Sequence, residues 1–357
     1  MAGKANSRID AVLRAAKVDR IMLFNTSIED PNFLYATGFK SGLFEQTSAL
    51  IKKGKVKVYA SQLEYGTAKA QAKPGVVVGK AETKRKELLK EIKGRRLGLN
   101  ADFLPYTYYT AMKRIYKPSR AVDISKAFAE ARLVKTEDEI NNIRKAVKIT
   151  KTAMNQIRAH FKEGITEAQL AAKFDYISGE LGSEKPSFET IVCFGSNSAF
   201  PHHSPGSRKL KKGDIILIDA GGKHNNYCSD LTRTFIFGRE AGKGSTKQDE
   251  IYNVVKTAQK MAIESIKPGI EGKEVDKVAR DYIDTFKGGK YKGTFIHSLG
   301  HSVGIEVHDG AGFWPGSKLK LSEGMVITVE PGVYVEGIGG VRIEDDILVT
   351  SNGAVVL

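Results

Sequence analysis

Apolar residues recur at helical spacing in two long stretches of the chain's second part, and in short strand-like runs before and between them. Ile140, Ile143, Val147, Met154 and Ile157 share one face of a helix whose start is marked by Thr136 and Glu139, the spacing of a capping box. A second helix is predicted over residues 249–266, with Ile251, Val254, Val255, Ala258, Met261 and Ala262 on its buried side and Pro268-Gly269 as its stop. In the first third, residues 9–16 and 61–72 read as helices and 21–24 and 97–99 as short strands. Residues 49–60 read as a hairpin turning at Lys53-Gly54. Periodicity breaks at Lys117-Pro118-Ser119, so a boundary is expected between residues 120 and 130. The pattern predicts an α/β domain over 1–125 and an α+β domain over 126–357, its helices packed on an antiparallel sheet.

A length of 357 residues suffices for two domains with separate cores. The longest apolar runs, such as Ile215 to Ile218, fall far short of the roughly 20 residues that cross a bilayer, so no membrane partner is expected. The start, Met1-Ala2-Gly3-Lys4, opens no apolar core with a small-residue cleavage site, and a cytoplasmic location is expected. Cys193 and Cys228 stand in no metal-binding spacing, which argues against a thiolate zinc site and a disulfide framework. The formal charge of +15 raises nucleic acid as a partner, but the basic residues are scattered. Their densest run, 84–96, carries Leu88, Leu89 and Ile92 at helical spacing and reads as a solvated helix face.

The candidate chemistry lies in the second part. Asp219 ends the apolar run Ile215-Ile216-Leu217-Ile218, and Asp230 follows a turn-rich stretch from Gly221 to Asn226. The midpoint of the two positions, 224.5, falls inside that stretch, so a regular hairpin would set both carboxylates on one face. Glu330 and Glu344 repeat the construction about Gly337. A bulge in either hairpin would shift its register. His301, among the small residues of Leu299-Gly300-His301-Ser302-Val303-Gly304, taken alone reads as a packed or surface histidine. Beside four carboxylates it reads as a ligand, because acids forced together take up protons unless cations are shared among them. The five residues Asp219, Asp230, His301, Glu330 and Glu344 therefore form a candidate site for two divalent cations. Oxygen-rich donors with one imidazole suit Mn²⁺ or Co²⁺ better than a thiolate-type zinc site, with Zn²⁺ or Fe²⁺ as alternatives.

In this order the blocks Ser187-Phe188-Glu189-Thr190-Ile191, Gly195-Ser196-Asn197-Ser198-Ala199-Phe200-Pro201-His202, Asp219-Ala220-Gly221 and Ser229-Asp230-Leu231-Thr232-Arg233-Thr234 resemble the pita-bread metallopeptidases. So do Gly300-His301, Glu330-Pro331-Gly332-Val333-Tyr334 and Gly340-Val341-Arg342-Ile343-Glu344-Asp345. The run Pro31-Asn32-Phe33-Leu34-Tyr35-Ala36-Thr37-Gly38-Phe39 resembles, more weakly, a creatinase-type N-terminal domain, which points to the proline-directed branch. The resemblance implies a pita-bread fold with internal pseudo-twofold symmetry, a homodimer, and a proline-containing dipeptide or short peptide as substrate.

The same resemblance implies that Asp219 holds one cation, His301 and Glu330 the other, and Asp230 and Glu344 both. It makes Glu330 a proton shuttle and His202 and His308 the imidazoles that hold the substrate carbonyl, with His203 the rival of His202. His297 is implied as a pocket or supporting residue. For Arg342, buried pairing with a carboxylate and substrate contact are both open. Two positions depart from the family pattern: Ser302 stands for glycine and Asp309 for glutamate.

The tertiary amide of an Xaa-Pro bond has no N–H and belongs to a rigid ring, so its hydrolysis needs a dedicated pocket. An Xaa-Pro dipeptidase is the leading expectation and an aminopeptidase P acting on longer peptides the alternative. A catalytically silent binding module or a metal-free hydrolase would be expected to lack ligands that this chain retains.

Overall fold

A computed structural model describes residues 2–26 and 28–357, which divide into two compact units, Met1–Arg132 and Leu133–Leu357. The division falls later than the expected boundary at 125/126, which lies instead at the start of the helix Ser125–Leu133. That helix packs within the first unit: Phe128 meets the Tyr35 ring, and Arg132 donates to Asn32 Oδ1 at 2.6 Å.

The first unit is built on a six-stranded mixed sheet in the order Val76–Lys80, Lys55–Ala60, Thr47–Lys52, Arg20–Asn25, Arg96–Leu99 and Arg120–Asp123. Its central hairpin turns at Lys53-Gly54, with Lys52 opposite Lys55 and Gly54 at φ 70°. Helix Lys84–Ile92 buries Leu88 and Ile92 and exposes Arg85, Lys86 and Lys90, so the basic run is in part a solvated face.

In the second unit one order of elements occurs twice. Helices Glu137–Gln156 and Glu167–Glu180 precede the three-stranded sheet of Ile191–Phe194, Ile215–Ala220 and Leu231–Ile236. Helices Lys247–Ser265 and Gly272–Thr285 precede a second sheet, of Val326–Val329, Asp345–Thr350 and Gly353–Val356. Both sheets are antiparallel, and each is covered by its own helix pair through a separate apolar core. This is the repeated architecture of a pita-bread domain, following a creatinase-type first domain.

Helix Glu137–Gln156 begins with the expected reciprocal cap, Glu139 N–H to Thr136 Oγ1 at 3.3 Å and Thr136 N–H to Glu139 Oε2 at 2.6 Å. Helix Lys247–Ser265 buries the expected residues except Met261, which is 37% exposed. The face is rotated towards Gln259, four residues after Val255 and three before Ala262. Gln259 is buried and donates to the Val329 carbonyl at 3.3 Å and to Asp345 Oδ2 at 3.0 Å. No helix among the described residues is long and apolar enough to cross a membrane.

Candidate metal centre

Strand Ile215–Ala220 is buried along its whole length, so its register depends on its partners and its turn more than on alternation. Asn225 and Asn226, at φ 50° and 69°, form a two-residue hairpin turn with both residues left-handed, a conformation asparagine tolerates. The turn sets His224 opposite Tyr227 and Asp219 opposite Thr232. Asp230 is thus diagonal to Asp219, and the expected direct opposition is wrong by two residues. A two-residue offset preserves the face, so both carboxylates still point to one side.

The second acidic hairpin has the expected register. Val329 pairs with Asp345 on one side of the acidic pair and Gly332 with Arg342 on the other, so Glu330 and Glu344 lie symmetrically about Gly337. His301 lies in the short strand Gly300–His301, paired with Gly312–Phe313. Gly300 lets this segment approach: a Cβ there would stand 2.1 Å from the Thr328 carbonyl oxygen. The His301 N–H then donates to Thr328 Oγ1 at 3.0 Å.

Asp230, His301 and Glu344 bring one ligand atom each within 4.8 Å of one another. His301 Nε2 lies 3.5 Å from Asp230 Oδ2 and 3.5 Å from Glu330 Oε1. Asp219 joins from the side of Arg342, whose Nη2 donates to Asp219 Oδ2 at 2.6 Å, while Asp219 Oδ1 is buried without a hydrogen-bond partner. Glu344 Oε2 accepts from Thr232 Oγ1 at 2.6 Å and Glu330 Oε1 from Thr328 Oγ1 at 3.3 Å. The Asp230 N–H donates to Asp346 Oδ2 at 2.9 Å.

Burial, and after it the charges of Glu344 and the other acids, raises the Asp230 carboxyl well above its ordinary range. Glu344 is raised by burial and then by Glu330 and Asp219. Glu330 is pushed up to about 8, again chiefly by burial. His301 moves the other way, to about 3, because burial and then His308 disfavour its cation. Its Nδ1 lies 3.4 Å from the Ser302 carbonyl, which can only accept, so the ring proton sits on Nδ1. The Nε2 lone pair then faces two carboxyls, an arrangement satisfied by a shared cation or, without one, by a carboxyl proton. With the orphaned Asp219 oxygen, this donor set fits divalent metal ions held by oxygen and one imidazole.

Arg342 is buried and its guanidinium organises the wall of the centre. Nε donates to Thr232 Oγ1 at 3.1 Å, Nη1 to Tyr334 OH at 2.7 Å and Nη2 to Asp219, with the Pro201 carbonyl 3.5 Å from both terminal nitrogens. The Tyr334 hydroxyl passes the chain on to His297 Nε2 at 2.9 Å, and His297 Nδ1 donates to the Ser298 carbonyl at 2.8 Å. Burial and then Arg342 hold His297 neutral, with its pKa lowered to about 4.

His203 is engaged by buried Glu167 at 2.9 Å and by Asn197 at 3.2 Å, whereas His202 is exposed. The charge of His202 reaches His297 and His308, helping to disfavour their protonation. His308 is also exposed, and its ring lies 4.2 Å from that of His301. Thr232, Thr328 and Asp346 were not among the expected site residues. A signal for each existed, since all three stand two positions from an acidic residue, at 230, 330 and 344, and a strand places such neighbours on one face.

The raised carboxyls give a stability prediction for the metal-stripped protein. Above about pH 7.5 His297 and His301 are neutral in the folded chain and nearly so in the unfolded one, whereas Glu330, at about 8, still holds a proton that the unfolded chain has released. The folded state then binds more protons, so its stability falls as pH rises across this window, by up to about 1.4 kcal/mol per pH unit for each carboxyl titrating there. Calorimetry in the presence of a chelator should show the melting temperature declining from about pH 7.5 to 9, and Mn²⁺ should reverse the decline. A flat profile would contradict the burial of these acids.

Comparison with known proteins agrees with this geometry. Residues 141–351 match metallopeptidase family M24 and residues 7–134 the creatinase/prolidase N-terminal domain. The chain is 40% identical over 301 residues to the Xaa-Pro dipeptidase of Pyrococcus furiosus, covering 83% of this chain and 82% of that protein. It is similar to the solved prolidase of Pyrococcus horikoshii OT3, with TM-score 0.87, 36% identity, and coverage of 99% and 97%. It is also similar to the X-Pro aminopeptidase of Thermotoga maritima, with TM-score 0.86, 29% identity, and coverage of 97% and 96%.

Proposed function

The chain belongs to metallopeptidase family M24, and from that premise we propose that it is an Xaa-Pro dipeptidase using two divalent cations. The observation that carries the reading is the meeting of Asp230, His301 and Glu344 within 4.8 Å, with Glu330 3.5 Å from the same imidazole. Asp219 would hold one cation, His301 and Glu330 the other, and Asp230 and Glu344 would be shared. Mn²⁺ or Co²⁺ suits this donor set best. When bound, the cations supply Lewis acidity towards the scissile carbonyl and lower the pKa of an attacking water.

The protein's own groups do the rest. Glu330 accepts the proton released by the attacking water and delivers it to the proline nitrogen, which leaves as a secondary amine only once protonated. His202 and His308, both exposed, bind the substrate carbonyl oxygen and stabilise the charge that develops on it. Arg342 holds Asp219 in place and, through Tyr334, fixes the ring of His297. The family resemblance further supports a homodimeric, cytoplasmic enzyme.

Replacing His308 by Ala is expected to lower kcat by about 10² to 10⁴ with both metals retained, the range for loss of one acid/base or oxyanion group. Steady-state kinetics beside metal analysis checks this, and an unchanged kcat would remove His308 from the reaction. The likeness to the Thermotoga maritima X-Pro aminopeptidase keeps a second reading in play, cleavage at the N-terminus of longer peptides. A hydrolysis panel of Xaa-Pro dipeptides against Xaa-Pro-Xaa tripeptides with Mn²⁺, Co²⁺ and Zn²⁺ separates the two. Absence of cleavage in every arm would overturn both.

A further inference from the structure

Beside the residues that follow His301 and His308 lies a buried lysine to which the mechanism assigns no role. Lys135 stands just before the capped helix Glu137–Gln156, and its backbone N–H donates to the Gly324 carbonyl at 2.9 Å. Its side chain is 1% exposed, and its ammonium lies 2.8 Å from Ser302 Oγ and 3.5 Å from Asp309 Oδ2. Taking an ammonium and a carboxylate out of water is unfavourable, and replacing such a pair by apolar residues is often neutral or stabilising. A buried lysine spanning two residues of one loop is therefore weakly explained by stability alone.

The loop supplies the explanation. Ser302 and Asp309 form its neck: the Asp309 N–H donates to the Ser302 carbonyl at 2.7 Å, and the Ser302 N–H to the Ala311 carbonyl at 2.7 Å. His301 immediately precedes Ser302, and His308 immediately precedes Asp309. Ser302 and Asp309 are buried beside the lysine, whereas His301 is half-buried and His308 exposed, so holding the first pair from the buried side constrains the rings of the second. The two imidazoles meet with ring centres 4.2 Å apart and planes at 70°. The Asp309 carboxylate is also pressed against the loop backbone, since a Cβ on Gly304 would stand 1.9 Å from Oδ2. The gripped pair, Ser302 and Asp309, are the two positions at which this chain departs from the family pattern.

We propose that Lys135 is a positioning residue for the His301–His308 pair, fixing the spacing and orientation of both rings by bridging Ser302 and Asp309. The inference rests on the reading of His301 as a metal ligand and His308 as a substrate-binding imidazole. Groups that orient a ligand from outside the metal shell commonly carry about 10- to 100-fold in metal affinity or activity.

Lys135→Met alone would leave the Asp309 carboxylate without its ammonium, so the test uses Lys135→Met together with Asp309→Asn, which removes both charges. Ser302→Ala is the second variant, removing one contact and keeping the ion pair. Three quantities are measured on the full chain: the melting temperature, Mn²⁺ affinity of the metal-depleted protein by titration calorimetry, and kcat and KM on an Xaa-Pro dipeptide. The double variant is expected to melt within about 5 °C of the native protein, to bind Mn²⁺ about 10-fold more weakly, and to lose about 10-fold in kcat with KM changed less than about threefold. Ser302→Ala should move the same quantities by a smaller factor.

Loss of Mn²⁺ affinity or of kcat with the melting temperature kept supports the proposal. Both within about threefold of native overturn it, and if the double variant does not fold, the same criterion on Ser302→Ala decides. A native chain that binds Mn²⁺ but cleaves no Xaa-Pro bond would refute the functional reading, while the variants' Mn²⁺ affinity would still decide the role of Lys135.

Discussion

Asp230→Ala is expected to release the metal ions and, with them, to lower kcat/KM on Xaa-Pro substrates by at least about 10⁴. The scale follows from the water pKa, which metal binding lowers from about 15.7 towards 7, so that losing the ions withdraws nearly all the nucleophile available at neutral pH. Asp230 is the residue to choose because its carboxylate lies 3.5 Å from His301 and groups with both His301 and Glu344. Its backbone is held separately, by Asp346 at 2.9 Å, so the change removes a ligand without releasing the strand. A second readout distinguishes this from unfolding. In the metal-stripped state Asp230 is a buried acid raised by its neighbours, and its removal should leave the apo protein at least as stable as native at pH 8. A variant that keeps two equivalents of metal and its activity would remove Asp230 from the ligand set.

The second large effect concerns Arg342→Met, expected to destabilise the metal-stripped protein by about 3–5 kcal/mol in urea unfolding, the range for breaking a buried ion pair from one side. Its guanidinium serves Thr232, Tyr334, Asp219 and the Pro201 carbonyl, and no water can replace these contacts at a residue 2% exposed. With Mn²⁺ present the loss should shrink, because the cations then share the Asp219 charge. A loss below about 1 kcal/mol without metal would show that Arg342 and Asp219 are not a coupled buried pair.

These outcomes depend on features that were unequally legible in the sequence. The pairing of Glu330 with Glu344 could be read because a three-residue loop of Glu336, Gly337 and Ile338 is symmetric about its glycine. The centre of the other hairpin could not, since six consecutive turn-compatible residues, Gly221 to Asn226, offer several centres and only the left-handed Asn225-Asn226 pair selects one. Parity rescued the inference, because a two-residue offset leaves side chains on the same face. Met261 was misplaced for a comparable reason: helical spacing admits either edge of the stripe, and the hydrogen bonds of Gln259 chose the other. The wiring of Arg342 was beyond reach, since Thr232, Asp219 and Pro201 lie more than a hundred residues before it and only the tertiary fold brings them together.

The chain of hydrogen bonds from Arg342 through Tyr334 and His297 to the Ser298 carbonyl has a fixed sense at both ends. A guanidinium does not give up a proton and a carbonyl does not take one, so no relay can run along it in either direction. It acts as an electrical insulator beside the site. Although His297 Nδ1 comes within 3.9 Å of Glu330 Oε2, that imidazole cannot drain a proton from the glutamate. In the proposed reaction, a proton that Glu330 takes up is thereby kept from the His297 side and left for the departing amine.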